Sequence, residues 1–192
     1  MGLAVTTAAT QPPVSLAEAK EHLRVDHDVD DALIVSLVRA AVEYAQSYTK
    51  RQFVLATFDY TIDQFPPGTS IVMPRSPLSS VTSVSYIDSD GASQAFTTDD
   101  WSAKTDTIRG SVQLGYGKSW PDTRCVVDAV TVRFIAGYAS VAEVPEAAKA
   151  AIKLMVGHWY EHRESVIVGT TATQLPLAVD ALLDTLRILE AH

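Results

Sequence analysis

A single cysteine, Cys125, stands in the 192-residue sequence, so no intrachain disulfide can form and no cluster of thiolates can hold zinc. We expect it to be a free, buried thiol. Basic residues are also scarce: 15 Lys and Arg stand against 23 Asp and Glu, a net charge of -8. Non-specific affinity for nucleic acid comes from Lys and Arg on phosphates, so the charge balance argues against a protein whose main task is gripping DNA. No apolar run reaches the roughly 18 residues that would mark a membrane span. The opening MGLAVTTAATQPP lacks the basic region and the continuous apolar stretch of a secretory signal, which leads us to expect a cytosolic product with no membrane partner. Phosphate-binding glycine loops are missing too, and Gly110, Gly115 and Gly117 read as turns or bulges. No G-x-S-x-G elbow accompanies the many serines, so nucleophilic catalysis has no support in the sequence.

What is present is an ordinary folded composition, 47% hydrophobic and 20% charged, long enough for one sizeable core. Residues 1–13 are small, polar and aperiodic, and are read as a flexible arm. Residues 14–192 are read as a single domain: helical over 14–52, β-rich over 57–138 and helical again over 144–192. Ser15 and Glu18 form a capping box for the helix SLAEAKEHL, with Leu16 and Leu23 on its buried side. Leu33, Ile34, Leu37, Val38, Ala41, Ala45 and Tyr48 then recur at three- and four-residue spacing, the stripe of a long amphipathic helix. From Thr57 to about Tyr138 the period shortens to β-branched and aromatic runs bounded by turn residues, five to seven antiparallel strands with one packed face and one wet. Asp90-Gly91 marks the clearest hairpin. Helix resumes at Val144-Pro145-Glu146, with Ala148, Ile152, Met155, Val156 and Trp159 as its stripe, and a last helix carries Val179, Leu182, Leu183, Leu186 and Leu189 on one face. The fold class is therefore α+β: a helical bundle of N- and C-terminal helices with a central antiparallel β subdomain.

Two stretches invite a metal. HWYEHRE, residues 158–164, contains H-x-x-E-H, in which His158 and His162 would hold zinc and Glu161 would activate water. The proteases that carry this signature take a downstream glutamate as third ligand, and the only glutamates that follow are Glu164, on the same short segment, and Glu190, beside the terminus. Asp26, Asp28 and Asp30 occupy the first, third and fifth positions of a calcium loop, but Asp31 stands where the glycine belongs and Leu37 where the bidentate glutamate belongs. Helix capping accounts for these acids, and no cofactor or metal is expected.

The order of segments resembles the head-tail connector, or head-completion adaptor, family of tailed bacteriophages and gene transfer agents. It is carried by SLAEAKEHLRVDHDVDDALIVSLVRAAVEYAQSYTKRQF, by the MPRSPLSSVTSVSYIDSDG hairpin, by FIAGY followed by VPEAAKAAIKLMVGHWYEHRE, and by the LP-x-x-V-x-x-LL ending with Arg187. The family often has asparagine where His162 stands, which makes the zinc-like signature an accident of a helix end. The resemblance implies a structural virion protein without enzymatic turnover, assembled in the bacterial cytoplasm and located at the head-tail junction. Its implied partners are the portal protein, a tail-side stopper or connector, and itself, in a ring of about twelve copies through which DNA passes without specific binding. Val179, Leu182, Leu183, Leu186, Arg187 and Leu189 are the candidate portal or neighbour interface. The alternatives are a small metal-dependent hydrolase using His158, Glu161 and His162, and an unrelated α+β interaction module.

Overall fold

The computed structural model describes residues 1–105, 108–162 and 177–188. They divide into two compact units, one of residues 1–10 and 54–139 and one of residues 11–53 and 140–192. The chain leaves the helical unit at Phe53 and returns to it at Ser140.

Among the described residues, the helical unit starts from a wholly buried Val14 and four α-helices: α1 (Leu16–Leu23), α2 (Asp31–Thr49), α3 (Glu146–Glu161) and α4 (Leu177–Asp184). The capping box forms as expected, with the Glu18 amide donating to Ser15 Oγ at 3.2 Å and the Ser15 amide donating to Glu18 Oε2 at 2.7 Å. On α1, however, Ala19 is the buried residue, and Leu16 and Leu23 are half-buried. Ile34, Val38, Ala41, Ala45 and Thr49 form the buried stripe of α2, spaced by three or four residues as a 3.6-residue period requires. They meet Ala148, Ala151, Ile152, Met155 and Val156 of α3, and α4 adds Val179 and Leu183. Four of these side chains are alanines, which let α2 and α3 approach closely before Ile, Val and Met fill the remaining volume. Pro145 precedes α3 in extended backbone, so it acts as the cap and Glu146 is the first helical residue.

The β unit holds eight strands among the described residues: β1 (Gly2–Thr7), β2 (Ala56–Ile62), β3 (Ser70–Val72), β4 (Leu78–Ile87), β5 (Ser93–Ala95), β6 (Trp101–Lys104), β7 (Ser111–Leu114) and β8 (Val130–Ala136). They form a five-stranded sheet, β1-β2-β8-β4-β5, and a three-stranded sheet, β3-β7-β6, and all the strand pairs are antiparallel. Inner residues of both sheets, among them Phe58, Ile71, Val84, Val112, Val132 and Phe134, join Met73 in one apolar cluster. Phe58 and Phe134 lie opposite one another on β2 and β8 with ring centroids 5.3 Å apart. Each ring taken out of water contributes about 1.5–3 kcal/mol. The other face of the large sheet carries Thr57, Asp59, Thr61, Thr131 and Arg133, with Arg133 donating to both Asp59 oxygens at 2.7 Å, so one face is packed and one is wet. That guanidinium holds the Asp59 carboxyl below the usual carboxylate range.

The hairpin at Asp90-Gly91 joins β4 to β5, with Gly91 at φ +91, a conformation only glycine adopts freely, and with Asp88 Oδ1 accepting from the Asp90 and Ala92 amides. Gly137, at φ +119, follows β8 where a Cβ would lie 2.6 Å from the Val54 backbone. Two expectations are corrected here. Gly2–Thr7, read as arm, is an edge strand paired with β2, because Leu3 and Val5 alternate with smaller residues at the two-residue period of a strand. Cys125, expected to be buried, is exposed, since it lies in the irregular segment between β7 and β8 instead of on a strand facing the core.

Candidate partner-binding surface

Six residues near the C-terminus were candidates for an interface, and the structure separates them. Val179 and Leu183 are wholly buried in the helical unit. Leu182 and Leu186 are half-buried, Arg187 is exposed, and Leu189 lies outside the described residues. The helix carrying them is also shorter than its apolar stripe indicates, ending at Asp184. The cause is a set of ties to the end of α2. The Tyr48 hydroxyl donates to Asp184 Oδ1 at 2.7 Å, Arg51 Nε donates to the Leu186 carbonyl at 2.7 Å, and the Ile188 amide donates to the Thr49 carbonyl at 3.1 Å. A helix leaves its last carbonyls without intrahelical partners, and Ile188 supplies one for α2. Ile188 is itself buried, so the chain after Asp184 turns inward.

Arg187 stands over this junction with its guanidinium carbon 5.1 Å from the Tyr48 ring centroid and 4.0 Å from Asp184 at the nearest nitrogen. The Asp184 hydrogen bond raises the Tyr48 hydroxyl pKa above its ordinary value. Tyr44 stacks on Tyr48 at 6.1 Å and is partly exposed. The result is an aromatic and cationic surface patch formed by Tyr44, Tyr48 and Arg187, with Leu182 and Leu186 close by in the chain. Such groups are enriched where proteins bind other proteins. Sequence reading found Arg187 but missed the tyrosines, whose helical spacing of four places them on one face.

His158 and His162 do come together, with ring centroids 4.6 Å apart. His162 falls past the end of α3, and its Nδ1 lies 2.9 Å from the His158 carbonyl oxygen. Glu164 and Glu190 lie outside the described residues, and among the described residues no group of three or more His, Cys, Asp or Glu is placed to hold a metal. Of the acids before α2, Asp30 takes the N-cap position, without a side-chain cap bond. Instead Lys20 of α1 bridges Asp28 at 2.7 Å and Asp31 at 2.8 Å, and the Tyr160 hydroxyl of α3 donates to Asp30 Oδ2 at 2.5 Å. Hydrogen bonds to the two acids raise the Lys20 pKa. The acids therefore fasten α1 and α3 to the start of α2.

Residues 13–98 match the model of the phage gp6-like head-tail connector proteins. The family that the chain resembles is thus the one read from its sequence. The connector match runs from α1 through β5. Beyond it the likeness is one of fold, and it extends over the whole chain. Chains in the neck of an empty gene transfer agent (GTA) particle computed with C6 symmetry, and in the virion of a native GTA particle, each superpose with a TM-score of 0.82 at 24% identity, covering 100% of this chain and 98% of theirs. A chain in the neck of a native GTA particle computed with C12 symmetry gives 0.79 at 22% identity with the same coverage. No curated protein matches the chain.

Proposed function

We propose that this protein is a structural head-tail connector of a phage or phage-like particle, without enzymatic activity, forming a ring of about twelve copies beneath the portal and offering a platform to the next tail-side component. The observation that carries the reading is the connector-family match over residues 13–98, joined to a fold that superposes along its full length on chains of GTA necks. The physical character of the chain agrees. Two firmly packed units make rigid wedges, and the Tyr44, Tyr48 and Arg187 patch offers a contact for the portal protein. Val179 and Leu183 serve this contact indirectly, by holding α4 in place.

With a net charge of -8, a ring of this protein would let DNA pass without gripping it, since like charge repels phosphate. A strongly basic lumen in an assembled ring would overturn that part. The reading as a whole is tested by mixing the purified chain with the portal protein encoded by the same genome and weighing the complex by native mass spectrometry. We expect a portal oligomer heavier by about twelve copies. No added mass under assembly conditions would overturn the connector function, and a stoichiometric zinc lost in His158→Ala would favour the hydrolase.

A further inference from the structure

β1 is an edge strand without charge or proline along it. Natural edge strands are commonly guarded by charged side chains, by proline or by a covering loop, because their free amides and carbonyls can pair with another chain. The first charged side chain of this sequence is Glu18 and the first proline is Pro12, so β1 has neither guard. All six of its residues are exposed, and among the described residues β2 is its sole strand partner.

Its side chains are placed for contact. Leu3 lies opposite Tyr60 and Val5 opposite Phe58, and residues directly opposite in an antiparallel pair share a face. Phe58 is in the core, so Leu3 and Val5 extend the core-facing side of the sheet into solvent, where they are 38% and 59% exposed. Met1 continues the row, 88% exposed, with its sulfur 3.6 Å from the Tyr60 hydroxyl. The opposite edge of the same sheet is β5, whose Ser93, Gln94 and Ala95 are likewise exposed and uncharged. One sheet therefore has two dissimilar ends without charge or proline, a six-residue strand whose register shifts between Val5 and Thr7 and a three-residue strand.

We infer that β1 is the strand by which one copy of this protein joins the next, its free edge pairing with β5 of the neighbouring copy and Leu3 and Val5 closing over that copy's sheet. The inference rests on the ring proposed above. A ring of more than two copies is built from head-to-tail contacts between two different patches of the same chain, and the two ends of this sheet are such patches. A free strand edge is satisfied by another extended strand, which main-chain hydrogen bonding selects over a helix or a loop.

The test places the photo-crosslinking residue p-benzoylphenylalanine at position 5 and irradiates the full chain, alone at high concentration and mixed with the portal protein. The expected product is a covalent pair of copies with the link mapped to the segment around Gln94. In parallel, the L3K/V5K variant should keep its unfolding temperature, because both side chains are exposed, while its loading onto the portal falls by about tenfold or more. A link to the portal alone, or no link between copies that do load, overturns the strand inference and leaves the connector function standing. Full loading by L3K/V5K overturns it as well. If no copies load but the pair still forms in the concentrated sample, the connector function falls and the strand contact stands; if neither occurs, both fall.

Discussion

In the helical unit the buried residues follow one another closely along the chain: Ile34, Val38, Ala41 and Ala45 within α2, and Ala148, Ala151, Ile152, Met155 and Val156 within α3. In the β unit the central partners are distant. Ala56–Ile62 pairs with Val130–Ala136, and Ser70–Val72 with Ser111–Leu114, so each contact closes a long loop before it is rewarded. The cores differ in kind as well. Alanines and aliphatics fill the first, while the second is centred on stacked rings, Phe58 on Phe134 and Phe65 on Trp120 with centroids 4.8 Å apart. The difference teaches that a helix announces its buried face within a few turns, whereas a sheet conceals its partners until the whole chain is in place.

The largest effect expected from breaking this comparison lies in the β unit. Phe134→Ala removes a wholly buried ring and should cost about 3–5 kcal/mol. Hydrogen exchange should show the loss in β2, β4 and β8 with smaller change in α2 and α3, since each unit has its own core. An equal loss throughout would mean that the two units open together and that the division has no energetic counterpart.

In the helical unit, Leu183→Ala should cost about 2–5 kcal/mol in urea unfolding, because it leaves a cavity where α4 is buried. Arg187→Ala should barely move the unfolding midpoint yet weaken loading onto the portal, since its guanidinium is exposed over Tyr48. The reverse pattern, with Leu183→Ala harmless and Arg187→Ala unfolding the chain, would remove the distinction between core and contact drawn between α4 and the residues that follow it.

Much of this was legible in the sequence, for identifiable reasons. Ile34, Val38, Ala41 and Ala45 of α2, Ala148, Ile152, Met155 and Val156 of α3, the Ser15–Glu18 capping box and the Asp90-Gly91 turn are short-range patterns, and each appears where its residues call for it. The split of the strands into two sheets was not legible, because it depends on pairings such as Ile71 with Val112 that no local period encodes. β1 was missed although Leu3 and Val5 alternate, since the small residues around them resemble an aperiodic arm. The early end of α4 was hidden by a stripe that runs on through Leu186 and Leu189; what turns the chain is the tie from Arg51 to the Leu186 carbonyl, a contact between residues far apart in sequence. For the same reason Arg187 could be named as an interface candidate while Tyr48, its aromatic neighbour, could not.

The smallest expected effect concerns the one short-range device whose electrostatics can be followed by titration. Ser15→Ala should destabilise the helical unit by about 1 kcal/mol, the usual cost of an N-cap, and should leave exchange in β2 and β8 unchanged. Hydrogen bonds from the Ser15 side chain and then its backbone hold the Glu18 carboxyl below its ordinary pKa. A depressed folded pKa adds stability that is full above the unfolded carboxylate value of about 4.3 and is lost as pH falls through the folded value. Comparison of the parent protein with Glu18→Ala should therefore show its full stability difference at neutral pH and a diminishing one below about pH 4, where the parent's carboxyl takes up its proton. A difference that stays constant through that acid range would mean that Glu18 supports α1 by packing alone, and the capping box would then be geometry without an electrostatic contribution.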